Sequence, residues 1–387
     1  MRRSTDRIIT SHVGSLARPP EVAALFRDRP ALKPFDASEQ QILRDAINNV
    51  VKQQVEAGVD MVSDGEFSKS GFAGYISERL GGFEQREATR PQAYTRGRDR
   101  TRFADFYAEI DRTNAGLGVG QVPLVCGGPV TYTGQGVLRQ DLDRLRAACD
   151  AAGAENAFVP AVSPITIALQ RPNEHYATDN EFLYAIANAM AVEYGMIVEA
   201  GFLLQIDDPR LVTSYDSMDP APSAAEYQKF AMKYVEALNH ALRGIPEESV
   251  RYHVCWGSWH GPHTTDIPLA DIVDVVLAIN AGSYSVEGAN ARHEHEYHVW
   301  ETARLPAGKT LMPGVVTHST NVVEHPELIA ERIVNYANIV GRANVIAGVD
   351  CGFAQGWDLA RVHESIQWEK LRMLAEGARL ASQRLWK

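Results

Sequence analysis

Strand-like apolar runs alternate with helix-periodic runs along nearly all 387 residues, and that alternation predicts an α/β chain closed into a single (β/α)8 TIM barrel. Two further observations agree. No internal repeat, low-complexity tract or Gly/Pro/Ser-rich linker divides the chain, and this length lies within the range of one barrel. Polar and sulfur-bearing residues also gather where the strand-like runs end, the side of a barrel where chemistry occurs. One domain spanning 1–387 is expected.

The first strand is read at 8–15, followed by a helix at about 38–57 with a capping box of Ser38 and Gln41 and a stop at Gly58. A strand at 60–66 comes next. A helix at about 138–152 precedes a strand at 157–163, and a helix at about 179–200 opens at an Asp179 cap and ends before Gly201. Strands at 202–207, 250–256, 283–287, 311–316 and 344–350 alternate with helices at about 224–242, 269–281 and 326–340, and a long helix closes the chain. The run at 123–131 makes nine strands where a barrel needs eight. It is assigned a place outside the barrel, beyond a βα loop inserted around 80–112.

Composition narrows the function. Lysine and arginine number 38 against 49 acids, a formal charge of −11, which argues against a nucleic-acid partner. No apolar run reaches the length of a membrane span, and no apolar stretch follows Arg2 and Arg3, so a cytoplasmic protein without a membrane partner is expected. Four cysteines are too few for a disulfide scaffold. Within the acidic whole, Arg86, Arg90, Arg96, Arg98, Arg100 and Arg102 crowd one insertion. This reads either as a solvated loop or contact between identical subunits, or as a lid drawing an anionic substrate to the barrel mouth.

His253 and Cys255 lie two apart on a predicted strand, so their side chains share a face. Glu287 and Cys351 end two later strands. One imidazole, two thiolates and a carboxylate suit Zn²⁺, although a buried cysteine is more often plain packing, the reading given to Cys126 and Cys149.

Seven strings stand in order: VGS at 13–15, DGEF at 64–67, QIDDP at 205–209, HVC at 253–255, VEGANARHEHE at 286–296, THS at 317–319 and DCG at 350–352. In that order they resemble the catalytic barrel of cobalamin-independent methionine synthase, in its single-barrel form. The resemblance implies zinc held by His253, Cys255, Glu287 and Cys351, and a substrate thiol that the metal makes nucleophilic toward an alkyl donor. It implies that His318 protonates the departing group. It also implies that Gly14 and Ser15 grip the carboxylate of homocysteine while Glu66 and Asp207 hold its ammonium.

Two acids at that position favour an amino-acid thiol over coenzyme M, the thiol of the related epoxyalkane:coenzyme M transferase. Corrinoid-protein methyltransferases share the His-x-Cys…Cys pattern, and a zinc hydrolase is a remoter alternative. The family's GPVT motif, followed by a tryptophan that stacks the pterin, matches either 127–134 or 163–170. The tryptophan is then Gln135 or Gln170, which predicts a slow folate donor unless Tyr132, Trp256 or Trp259 substitutes. Histidines 293, 295 and 298 lie beside Glu287 as partners of the ligands or as a solvated face.

Overall fold

The computed structural model describes residues 3–27, 34–86, 97–112 and 124–387. In chain order the elements are β1 (Ile9–Thr10), α1 (Pro20–Arg27), α2 (Ala37–Glu56), β2 (Met61–Val62), β3 (Leu80–Gln85), α3 (Arg98–Arg102), α4 (Ala104–Arg112), β4 (Leu124–Tyr132), α5 (Gln135–Ala152), β5 (Asn156–Val162), α6 (Pro164–Gln170) and α7 (Asp179–Glu199). They continue with β6 (Leu203–Asp208), α8 (Arg210–Thr213), α9 (Ala224–Ala241), β7 (Val250–Val254), α10 (Leu269–Leu277), β8 (Ser283–Val286), β9 (Thr310–Val316), α11 (Pro326–Val340), β10 (Ile346–Val349), β11 (Ala354–Gly356), β12 (Leu359–Ala360) and α12 (Glu364–Leu385).

Eight strands form one parallel sheet in the order β1-β10-β9-β8-β7-β6-β5-β2. A parallel bridge from Ser11 to Met61 joins its two ends, closing the barrel. The ninth strand lies outside, as expected: β4 pairs antiparallel with β3, from Leu80 opposite Tyr132 to Gln85 opposite Leu124. Buried Arg79 at the base of this hairpin meets Asp141 at 2.6 Å and Glu193 at 3.3 Å. Tyr75 and Tyr132 donate to the two oxygens of Glu193 at 2.8 and 2.7 Å.

Alternation along the strands sorts the side chains. On β7, Val250, Tyr252 and Val254 join the main apolar core beneath the helices. Arg251 and His253 take the opposite, lumenal face. Arg251 is fully buried, donating to Gln205 Oε1 at 2.7 Å, Ser11 Oγ at 2.8 Å and the His12 carbonyl at 3.1 Å. It also lies 4.1 Å over the Phe158 ring. This polar floor ties β1, β6 and β7 together below the site.

Two helix starts differ from the sequence reading. The first capping box is Asp36 with Glu39, not Ser38 with Gln41, because the Asp36 carboxylate accepts from the amides of both Ser38 and Glu39. Thr178, not Asp179, caps α7, with Glu181 completing the box. In each case the capping residue stands just ahead of the first helical one and satisfies the free N–H groups there.

The described part of the insertion is anchored to the barrel through Asp99, while much of α3 and α4 faces solvent. Asp99 accepts from Tyr107 Oη (3.1 Å), the His263 and Thr264 amides (3.1 and 3.2 Å) and Thr264 Oγ1 (2.7 Å). Its own amide donates to Asp216 Oδ1 at 3.0 Å. Arg98 donates to the Tyr215 and Thr265 carbonyls, Arg100 pairs with Asp111, and Arg86 pairs with Glu84 and Glu174. Arg102 reaches Thr264 Oγ1 at 3.5 Å, while Arg90 and Arg96 lie outside the described residues. Arg98 and Arg86 thus tie the insertion to neighbouring segments, whereas the Arg100–Asp111 pair is internal to it and lines the cavity described below.

Candidate metal and thiol site

β7 runs straight into the tight loop Cys255–Trp259, while Cys351 follows β10 on the other side of the lumen. One potential ligand atom each from His253, Cys255 and Cys351 lies within 4.8 Å of the others, and all three residues are buried. The two sulfurs are 3.4 Å apart. Ser285, inward on β8, meets His253 Nδ1 at 3.1 Å, while Nε2 has no hydrogen-bond partner among the described residues. Burial pushes the His253 imidazole down to about 3, aided by Arg251, so it is neutral with a lone pair to offer. Cys255 is raised well above the usual thiol range by its contact with Cys351 and by burial. Two crowded thiols and an unpartnered imidazole nitrogen form a soft donor set that fits Zn²⁺.

Glu287 is not part of that three-atom cluster. Its Oε1 accepts from the Trp256 amide at 2.9 Å and its Oε2 from Asn290 at 2.7 Å. Burial and the nearby Cys255 push its carboxyl well up. Asp350, beside Cys351, accepts from the Gly288 and Ala289 amides at 2.8 Å each and from Asn290 at 3.2 Å, so it holds the loop that carries Glu287. Of the three neighbouring histidines, His293 is buried between Asp266 (3.4 Å) and Glu296 (2.8 Å) with its ring against Trp256, whereas His295 and His298 are exposed.

A cavity of about 410 Å³ opens onto the cluster. Val13, Ser15, Glu66 and Asp207 line it together with His253, Cys255 and Cys351. Glu66 sits at φ +61°, a left-handed conformation that is strained for a glutamate, and its Oε2 has no hydrogen-bond partner among the described residues. Burial raises its carboxyl, against the pull of Lys69 and Arg18. Asp207, held by Gln205 at 2.7 Å, is raised well above its usual range by burial and by Glu66. Lys69 offsets part of the charge on both acids, and an ammonium in the cavity would offset more. Gly14, at φ +118°, makes the turn that brings Ser15 in; a Cβ there would stand 2.5 Å from Pro160. Ser15 Oγ donates to the Ala354 carbonyl.

Phe72, Phe106, Tyr107, Ile110 and Trp259 form an apolar side of the cavity, and α4 supplies Phe106, Tyr107 and Ile110 to it. Of the three aromatic substitutes named from sequence, only Trp259 lines this space. Tyr132 belongs to the hairpin, and buried Trp256 donates to the Ile267 carbonyl. Gln170 ends α6 and is not a lining residue.

His318 is buried just after β9, with Nδ1 unpartnered among the described residues. Burial and the charges of His260 and Arg361 push it down to about 3, so it rests as a neutral imidazole. It does not line the cavity; His260 does, a residue that sequence reading missed.

Comparisons with known proteins show what the chain is similar to. Residues 8–167 match the family model of the cobalamin-independent synthase catalytic domain. Over 386 residues the chain is 23% identical to a methionine synthase of Saccharolobus solfataricus, covering 97% of this chain and 95% of that one. A methionine synthase of Thermococcus kodakarensis is 22% identical, with 97% and 94% covered. The structure of a B12-independent methionine synthase from Shewanella sp. W3-18-1 in complex with selenomethionine superposes with a TM-score of 0.74 at 18% identity, over 98% of this chain and 99% of that chain, which shows the shared barrel fold. The chain thus resembles the cobalamin-independent methionine synthases along almost its whole length.

Proposed function

Starting from that likeness to the cobalamin-independent methionine synthases, we propose that this chain is a single-domain, zinc-dependent transferase that moves a methyl group to the thiol of homocysteine. One observation carries the reading. The Cys255–Cys351–His253 cluster and the buried Glu66–Asp207 pair line a single cavity, so a thiol and an ammonium on one small molecule can be met together.

His253, Cys255 and Cys351 would hold zinc, with Glu287 a fourth ligand once Trp256 or Asn290 releases an oxygen. Bound there, the ion supplies acidification of the substrate thiol at neutral pH. Ser285 fixes the His253 tautomer that leaves Nε2 toward the cluster. Glu66 and Asp207 take the ammonium by charge-assisted hydrogen bonds, which relieves their mutual repulsion. Ser15, on the cavity wall, is placed to meet the carboxylate, and the Gly14 turn positions it. This arrangement disfavours a sulfonate thiol without an amine, because its anionic group would add to the two buried acids and leave the unpartnered Glu66 Oε2 unmet.

The donor lies on the side formed by Trp259, Phe72, Phe106 and Ile110, the last two supplied by α4. His260, which lines the cavity, is the histidine placed to meet the departing group, with the buried, neutral His318 behind it. With Gln170 outside the cavity, 5-methyltetrahydrofolate stacks at best on Trp259 and is proposed as a slow donor beside a small methyl ether or sulfonium compound.

Single-turnover transfer tests this reading. Zinc-loaded protein is offered homocysteine or coenzyme M with each donor, and products are followed by mass spectrometry. Methionine formed in preference to methylated coenzyme M is the expected outcome. The reverse preference overturns the assignment of the thiol, and rapid transfer from the folate overturns that of the donor.

A further inference from the structure

We propose that Ser258 shields the Cys351 sulfur by hydrogen bonding, so that the incoming alkyl group goes to the substrate thiol and not to the protein's own cysteine. The inference rests on the metal reading above and deepens it.

The selectivity problem is visible in the cavity. Cys255 and Cys351 both line it, so a donor approaching the substrate thiol also faces two protein sulfurs. Once deprotonated, each is a nucleophile of the same chemical kind as the substrate. Ser258 Oγ lies 2.7 Å from Cys351 Sγ and 3.7 Å from Cys255 Sγ. Cys255 has a donor of its own, the Gly257 amide at 3.3 Å. Each sulfur therefore has one near donor, and a thiolate lone pair engaged in a hydrogen bond is less available for attack on carbon.

The loop is built to make these contacts. Gly257 adopts φ +87°, and a Cβ at that position would fall 1.8 Å from the Trp259 ring. The turn thus requires glycine, and it delivers the Gly257 amide and the Ser258 hydroxyl to two different sulfurs. Ser258 is buried, 5% exposed, on the cavity wall beside the two sulfurs.

The test uses methyl iodide as a bare methyl donor on zinc-loaded protein without homocysteine. The carbon–iodine bond breaks, a sulfur–carbon bond forms on cysteine, and iodide leaves. Labelling of the Cys351 and Cys255 peptides is timed by mass spectrometry, with the zinc-loaded species selected by native mass spectrometry so that weaker loading of a variant does not enter the rate. Ser258→Ala is expected to speed Cys351 methylation about tenfold, as loss of a hydrogen bond to a charged group predicts, and to affect Cys255 less. Ser258→Thr keeps the hydroxyl and stays at the parental rate. Equal Cys351 rates in parent and Ser258→Ala, or a rise confined to Cys255, overturn the inference while leaving the metal site standing. A parent that takes up no zinc, seen by elemental analysis before any labelling, overturns the metal reading and this inference with it.

Discussion

Replacing Glu66 by glutamine removes one of two adjacent buried carboxylates while keeping the side chain's volume. In the free protein Glu66 is 1% exposed and Asp207 is 9% exposed, and Glu66 adds to the burden that burial places on ionising Asp207. The substitution lifts that repulsion but also takes a partner from buried Lys69 and Arg18, so the variant's fold is checked by circular dichroism before titration. Homocysteine should suffer, because its ammonium loses a charge-assisted hydrogen bond in a dry site. Such bonds contribute about 1.5–3 kcal/mol, which is roughly 10- to 150-fold in Kd. Calorimetric titration of zinc-loaded parent and Glu66→Gln measures this directly. The comparison ligand is 4-mercaptobutanoate, which keeps the thiol and carboxylate of homocysteine but lacks the amine, and its affinity should hold or improve. Equal weakening of both ligands, or of neither, refutes the assignment of Glu66 to the ammonium.

Two further outcomes follow from the same geometry. Asp350→Ala strips three hydrogen bonds from residues 288–290 and should cost about 2–4 kcal/mol in urea unfolding, with looser zinc retention against a chelator. His293 is pulled up to about 10 from its usual 6.5, against burial, by hydrogen bonds to Asp266 and Glu296 and by the charge of Glu287. Its raised folded pKa gives stability that is fully present below pH 6.5 and is lost as the pH rises through about 10. The parent should therefore lose stability across that window, by up to about 5 kcal/mol, while His293→Gln shows a flatter profile; parallel profiles contradict the ion-pair network.

The barrel was legible because strand and helix periods alternate cleanly, and the surplus strand at 123–131 was legible by counting. Capping was misread by one or two residues because Asp36, Ser38, Thr178 and Asp179 are all competent cap types, and sequence alone does not say which one stops being helical. The cysteine–histidine pair could be read from strand alternation, and the same alternation would have put Arg251 on the lumenal face two residues before His253. It was overlooked because an arginine inside a barrel looks implausible until Gln205, Ser11 and the His12 carbonyl are seen around it. Ser258, His260 and Asp350 act through loops whose course depends on tertiary contacts, so no spacing rule reveals them. The arginine-rich insertion reads from composition either as a solvated loop or subunit contact or as a lid drawing an anion. Composition does not show that its described arginines find partners, with Arg100 and Asp111 on the cavity wall beside apolar Phe106 and Ile110.

The account stands on the His253–Cys255–Cys351 cluster as a zinc site, and metal content tests it most directly. Elemental analysis of the purified protein, and of Cys255→Ser and Cys351→Ser variants checked for an intact fold by circular dichroism, should give one zinc per parent chain and a large loss in each variant. The strands that carry these residues are held by the apolar core on their outer face, so both variants should remain folded. A folded parent without stoichiometric zinc, or cysteine variants that keep it, would contradict the account.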